Sequence, residues 1–271
     1  MSLPARWTET SHARAGRRIA SACWPLVLPA ALLAVWWIAS ADSSNLYFPP
    51  LEKILRAFFS TWFGSAFTAD VLPSLLHVLC GFMAGAAAGI TLGVLAGRVP
   101  WLYWLSAPLI SFGRSLAPPA VIPFALLVFG IGPQMSIAVI AFGVLFPVLL
   151  NTADGVRGID PLVSEVSAVY RLPRHVRLGL VVLPAASPQI VAGLRTSLSL
   201  AVLLMVVSEM TAATSGIGYF TVQAEQTFSY ADMWSGMILL AITGLGANLL
   251  FRAGVERPLL HWHRQDGALG S

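Results

Sequence analysis

Six apolar runs dominate this chain, at residues 19–41, 71–96, 101–129, 135–150, 190–212 and 233–251, and none holds more than two charged residues. An α-helix rises about 1.5 Å per residue and the hydrocarbon of a bilayer is about 30 Å thick, so about twenty such residues make one crossing. The runs predict an all-α polytopic membrane protein with six transmembrane helices. Membrane β-barrels instead alternate apolar and polar residues in segments of roughly ten, and these long Ala-, Leu- and Gly-rich runs do not. A soluble fold fails on charge. Only 10% of the 271 residues are charged while 57% are hydrophobic, where a water-facing shell needs about a quarter charged.

The third run is too long for one crossing and too short for two. It contains Pro108, Pro118, Pro119 and Pro123. Proline removes a helix hydrogen bond and clashes with the preceding turn, so the run reads as one helix broken near Pro118. Charge placement agrees with that count. With six crossings and the amino terminus inside, Arg6, Arg14, Arg17, Arg18, Arg98, Arg157, Arg171, Arg174, Arg177, Arg195, Arg252, Arg257 and Arg264 fall in or beside cytoplasmic segments. Only Lys53 and Arg56 fall outside, and Arg114 lies within the membrane. Such an asymmetry is what the preference for basic cytoplasmic loops produces. Splitting the third run would turn the basic loop 157–177 outward and destroy it. The net charge of +4 therefore reflects an anionic membrane face, and nucleic-acid binding is not expected.

The resulting organisation is one domain: a cytoplasmic tail at 1–18, a first helix at 19–41, a transmembrane domain at 71–252 with a cytoplasmic loop at 152–189, and a cytoplasmic tail at 253–271. Arg14, Arg17 and Arg18, the first apolar run, and then Ala39, Ser40 and Ala41 also fit a signal peptide with its cleavage site. Run 19–41 exceeds the usual signal core of about 7 to 15 residues, which favours a retained helix. Cys23 and Cys80 lie in apolar runs without ligand-like partners, and His261 and His263 sit in the basic tail. Neither a disulfide framework nor a metal site is expected.

Two outer connections stand out. Residues 42–70 should hold a short amphipathic helix at 51–62, and residues 214–232 begin with Gly216 and Gly218 and continue into an aromatic stretch. Within the second run, Gly81, Gly85, Gly89, Gly93 and Gly97 recur every four residues. This spacing puts a groove of small residues along one helix face, where another helix backbone can approach closely. Packing within the subunit is the expected use, and a subunit interface the alternative.

Between the fourth and fifth runs the chain is too polar to cross a bilayer but keeps a helical period. Asp160 can cap a helix and Pro161 suits its first position. Leu162, Val163, Val166, Val169 and Tyr170 then fall on one apolar face. Arg171-Leu172-Pro173 ends that helix, because a residue before proline is pushed out of helical geometry. A second helix should run from about Arg174 to Leu183-Pro184. The segment reads as a helical hairpin at the cytoplasmic surface.

This hairpin resembles the cytoplasmic signature of ABC importer permeases, E-A-A, three residues, G, nine residues, then I-x-L-P. Glu165, Val166, Ser167, Arg171, Val181, Leu183 and Pro184 hold those positions, with Glu165, Leu183 and Pro184 matching and the other four departing. Arg171 in place of glycine is the most consequential departure, since helix-ending glycines often adopt positive φ. Leu116-Ala117-Pro118-Pro119, Phe129-Gly130-Ile131-Gly132, Phe146-Pro147-Val148-Leu149-Leu150-Asn151, Gly193-Leu194-Arg195 and Glu209-Met210 resemble the sulfonate, nitrate and taurine subfamily.

The resemblance implies a type I (MetI-like) permease of the bacterial inner membrane with both termini in the cytoplasm. Glu165, Val166, Ser167, Ala168 and Val169 would dock in a cleft on a cytoplasmic ATPase, and Arg171, Val181, Leu183 and Pro184 would complete the coupling element. Two ATPase copies, a second permease copy, an extracytoplasmic solute-binding protein and surrounding lipid are the implied partners. ATP and Mg would belong to the ATPase, and no cofactor to this chain. The phosphate-binding motif G-x-x-x-x-G-K-[ST] cannot occur here, because the only lysine is Lys53 between Glu52 and Ile54.

Arg114, Pro118, Pro119 and Glu209 are candidates for the translocation pathway. A cation kept beside broken backbone could favour an anion, while carbonyls freed by the prolines, or Glu209, could instead satisfy Arg114. Glu209, about 30 Å of helix beyond Gln189, should sit at a solvated outer helix end, and His77 at a membrane boundary. An intramembrane enzyme would need a nucleophile with a base, or paired carboxylates, at membrane depth. A secondary transporter would show coupling carboxylates or repeated halves. None of these features is evident in the sequence.

Overall fold

The computed structural model describes residues 31, 34–40, 47–160, 162–163, 167, 169–170 and 173–256. Contacts gather the chain into two compact units, 1–57 and 58–271, where the sequence reads as one domain. In the first unit, residues 34–40 are helical, and the Leu51 N–H donates to Ser40 Oγ at 3.4 Å. Helix α1 (Leu51–Trp62) begins in this unit. Most of run 19–41 lies outside the described residues.

In the second unit the principal helices are α2 (Leu72–Arg98), α3 (Pro100–Ser115), α4 (Ile122–Phe129), α5 (Pro133–Arg157), α6 (Leu183–Ala212), α7 (Ile217–Gln226) and α8 (Tyr230–Phe251). Among the described residues four helices are long and apolar enough to cross a membrane: Phe67–Arg98, Pro133–Arg157, His175–Ala212 and Tyr230–Glu256. The third apolar run forms no continuous helix. It is split into α3 and α4 by extended backbone at Leu116 and Ala117 (ψ 121° and 118°) and a 3-10 turn at Pro118–Val121. Pro118 accounts for the extended Ala117, since a proline disfavours helical geometry in the residue before it.

The long helices reach beyond the apolar runs, and proline placement explains how. Single π turns at Phe67–Val71 and Leu178–Val182 lead directly into Leu72-Pro73 and Leu183-Pro184. The Leu72 and Leu183 N–H groups donate to the carbonyls of Phe67 and Leu178, five residues back. Widening the helix by one residue relieves the clash between a proline ring and the carbonyl four residues earlier. The second arm of the hairpin therefore does not stop at Pro184. It continues as one helix from His175 to Ala212. A third π turn, Arg252–Glu256, extends α8.

Helices α2, α5 and α6 form the centre, with Val78, Phe82, Ile140, Val144, Val148, Ala201, Leu204 and Met205 in one buried cluster. The glycine stripe of α2 sets the spacing. A Cβ added at Gly81, Gly85, Gly89, Gly93 or Gly97 would lie 2.6–2.8 Å from the Cβ of Ile140, Val144, Val148, Thr152 or Val156 respectively. Five glycines thus face five β-branched residues of α5 at the same four-residue interval, groove against ridge. Branched side chains are stiff at χ1, so the ridge has little freedom to give way.

Candidate functional site

The two ends of this bundle carry different chemistry. At the hairpin end, α5 closes at Arg157, whose guanidinium stacks 4.0 Å from the centroid of the Tyr103 ring on α3. Asp160 then caps the first arm of the hairpin: its Oδ1 accepts from the Leu162 N–H at 2.8 Å and its carbonyl from the Val163 N–H at 3.1 Å. Beyond the cap the apolar face is uncovered, with Leu162 64%, Val169 79% and Tyr170 74% exposed, while Ser167 is buried. Glu165, Val166, Ala168 and Arg171 lie outside the described residues.

The root of the second arm is packed. Val182, Ala186 and Ile190 form a cluster with Val94 of α2 and Val156 of α5, and Leu178, Leu183 and Ile159 lean on it. The second arm is thus anchored on α2 and α5 at one apolar cluster. Val181 is half-buried and Pro184 exposed on this arm.

At the opposite end Glu209 is only 1% exposed. Its Oε2 accepts from Ser74 Oγ at 2.8 Å and from the Gly218 N–H at 3.1 Å, and its Oε1 lies 2.9 Å from His77 Nδ1. Which of the two groups donates in that last contact depends on the tautomer of the ring. Ser74 Oγ in turn accepts from the Ile217 N–H at 2.9 Å, and Asp70 Oδ1 from the Gly216 N–H at 3.0 Å. The first three N–H groups at the start of α7, which no helix can satisfy internally, are thus taken by Asp70, Ser74 and Glu209. Two of the three acceptors are carboxylates, matched to the positive end of the helix dipole.

Glycine is required in this turn. Gly216 has φ +126°, and a Cβ there would collide with the Glu209 carboxylate. At Gly218 a Cβ would lie 2.9 Å from Glu209 Cβ and from the Val206 carbonyl oxygen. This differs from the solvated helix end expected for Glu209. Glu209 is withdrawn from solvent because α7 folds back over it and the Gly218 N–H donates to its Oε2. His77, expected as a boundary residue, is likewise buried.

Residues 89–257 match the family described as the binding-protein-dependent transport system inner membrane component. The chain belongs to that family. A protein of Bacillus subtilis (strain 168) named as an aliphatic sulfonates transport permease is 32% identical over 263 residues, covering 96% of this chain and 95% of its own length. The nitrate import permease protein of Synechocystis sp. (strain ATCC 27184 / PCC 6803 / Kazusa) is 31% identical over 229 residues, covering 82% and 83%. Among solved structures, the MetNI methionine ABC transporter in its inward-facing conformations has a chain of similar fold, at TM-score 0.58 and 20% identity, covering 68% of this chain and 94% of that one. The chain is accordingly the multi-pass inner-membrane component of an ABC importer, a transport subunit rather than the ATPase.

Several residues singled out in the sequence fall apart in this permease. Glu209 engages both carboxylate oxygens at the outer end with Ser74, His77 and Gly218, none of which is Arg114. Arg114 lies on α3, and its side chain lies outside the described positions. Pro118 and Pro119 are half-buried, and Pro118 approaches Gly143 of α5 (3.4 Å from a Cβ built there). The glycine stripe faces α5.

Sequence reasoning missed Asp70 and Ser74. The signal was present, because positions 70, 74 and 77 precede 81, 85, 89, 93 and 97 at intervals of four, three and four. They continue the glycine face outward and change its chemistry from small to polar.

Proposed function

We propose that two copies of this permease form a pathway for a small anionic solute of the sulfonate or nitrate type, taurine included, delivered by an extracytoplasmic solute-binding protein. Two cytoplasmic ATPase subunits, which hold the ATP and Mg, drive it through the hairpin at 160–184. The observation that carries this reading is the contrast within the hairpin: an apolar face left open at Leu162, Val169 and Tyr170, on a root packed into α2, α5 and α6. An exposed apolar face rimmed by polar residues marks a docking surface. Glu165, Val166, Ser167, Ala168 and Val169 would enter the ATPase cleft. Arg171, Val181, Leu183 and Pro184 would carry displacement to the membrane helices. The relatives named for sulfonates and nitrate supply the solute class, and the basic hairpin loop supplies the orientation, with both termini in the cytoplasm.

Replacing Val169 by cysteine tests the orientation and the docking together. The thiol should react with an impermeant reagent in inside-out vesicles, stay unreactive in intact cells, and be shielded when the ATPase is bound. Ready labelling from outside intact cells would overturn the assignment.

Arg114, beside the break at Pro118 and Pro119, would favour the anion within the pathway. Arg114→Gln should slow uptake of a sulfonate more than that of a neutral analogue, and equal slowing would remove Arg114 from the pathway. Glu209 belongs to this proposal as the closure of the outer end and not as a solute ligand, since its oxygens are already engaged.

A further inference from the structure

A second polar site lies at the inner end, on the flank formed by α6 and α8. Arg195, Thr196 and Ser199 of α6 and Asn248 of α8 line, with Arg252, a cleft of about 460 Å³. We infer that this cleft binds the headgroup of an anionic phospholipid, with the acyl chains running along the exposed face of α8.

Depth is the first support. Arg195 lies seventeen residues before Ala212, the outer end of α6, which is about 26 Å of helix. Arg252 follows directly on the 22-residue α8, about 33 Å from its outer start. Both guanidinium groups therefore arrive at the inner edge of a hydrocarbon layer about 30 Å thick. Basic pockets between membrane helices at this level suit anionic headgroups.

Hydrogen-bonding capacity is the second. The Arg195 side chain is 58% exposed, and its Nη1 has only a long contact of 3.4 Å to Glu256 Oε1. Arg252 has no acidic partner among the described residues. Asn248 Nδ2 donates to Ser199 Oγ at 3.5 Å, which leaves the other Asn248 N–H and the Ser199 proton for a phosphate oxygen. The Thr196 hydroxyl is turned away, donating to the Ala192 carbonyl at 3.1 Å. With Glu256 counted, the rim keeps one net positive charge.

The apolar half of the site decides between lipid and a free anion. Ile242, Leu245 and Leu249, spaced three and four apart on α8, are all exposed, and Leu245 and Leu249 also wall the cleft. They form a stripe that begins at the arginines and leads toward the outer leaflet. A small anion would use only the polar end, while a phospholipid uses both.

The test uses the assembled transporter with its ATPase, solubilised and analysed by native mass spectrometry in competition between phosphatidylglycerol and phosphatidylcholine. Each arginine near an anionic surface favours the charged lipid about fivefold. With one net positive charge on the rim, preference for phosphatidylglycerol should reach about fivefold, vanish in Arg252→Gln and stay absent in the Arg195→Gln/Arg252→Gln double variant. Arg195→Lys/Arg252→Lys, which keeps the charge, should retain most of it and controls for folding. Equal retention of the two lipids by the wild type would overturn the proposal. So would displacement of phosphatidylglycerol by millimolar inorganic phosphate, which would mark a small-anion site, or loss of preference in the lysine variant. None of these readings depends on the hairpin coupling to the ATPase, so the two proposals fail separately.

Discussion

The two ends of the helix bundle are finished in opposite ways. At the Glu209 end, Asp70, Ser74, His77 and Glu209 use their polar atoms on one another and on the start of α7, so the end is closed. At the hairpin end, Val94, Val156 and Val182 close an apolar root, and past it the chain offers Val169 and Tyr170 to whatever binds there. A buried polar network fixes one geometry, because every alternative strands a donor or acceptor. An apolar root with an open face holds its position by area alone, and area tolerates rocking. The difference suits a part that is moved from one end and held at the other.

The sharpest way to break this contrast is Glu209→Ala. It orphans the Gly218 N–H, the Ser74 hydroxyl and the His77 ring in a buried site, at about 1 to 3 kcal/mol for each buried group left unpaired. A loss of about 3 kcal/mol or more is expected in denaturant or thermal unfolding of the purified transporter. Glu209→Gln keeps the shape but only one acceptor and should recover part of it. A variant as stable as the wild type would mean that α7 is held by its apolar contacts, Ile217 against Trp62 and Val71, and that the outer end is no more fixed than the inner.

How much of each end was legible follows from where its information lies. The cap at Asp160 and the helix start at Arg174 were readable because a cap and a proline act on their immediate neighbours, and local spacing carries them. The break at Pro118 was readable for the same reason: proline acts on its immediate neighbours. Glu209 was not. Its partners Ser74 and His77 are 135 and 132 residues away, and counting helix length placed it at the outer end without saying that α7 turns back to cover it. The π turns were missed because a Leu-Pro dipeptide reads as a helix stop, and only tertiary packing shows that the helix widens and continues.

The next comparison applies one change in the packed centre of the bundle and in the hairpin arm. Gly89→Ala would set a methyl 2.8 Å from Val148 Cβ and from the Leu145 carbonyl oxygen, between two backbones that cannot separate without disturbing their neighbours along the stripe. Overpacking of this kind costs about 1 to 3 kcal/mol. Gly179→Ala, in the second arm of the hairpin, meets nothing within 4 Å and should change stability by less than about 0.5 kcal/mol. Parallel unfolding curves of the two variants check this, and equal losses would show that the α2–α5 contact yields as readily as the hairpin does.

The smallest change in stability should come with a large change in function. Val169 is 79% exposed, so Val169→Asp removes little packing and should leave unfolding within about 0.5 kcal/mol of wild type. If the open face of the hairpin is the surface pressed by the ATPase, a charge there must be desolvated on docking, which is expensive without a partner. Substrate-stimulated ATP hydrolysis by the assembled transporter should then fall several-fold while the permease still inserts and folds. Normal coupled hydrolysis in Val169→Asp would move the docking contact elsewhere on the hairpin. A drop in stability matching the drop in coupling would mean that the face is covered within the subunit, and the contrast between a closed outer end and an open inner one would be lost.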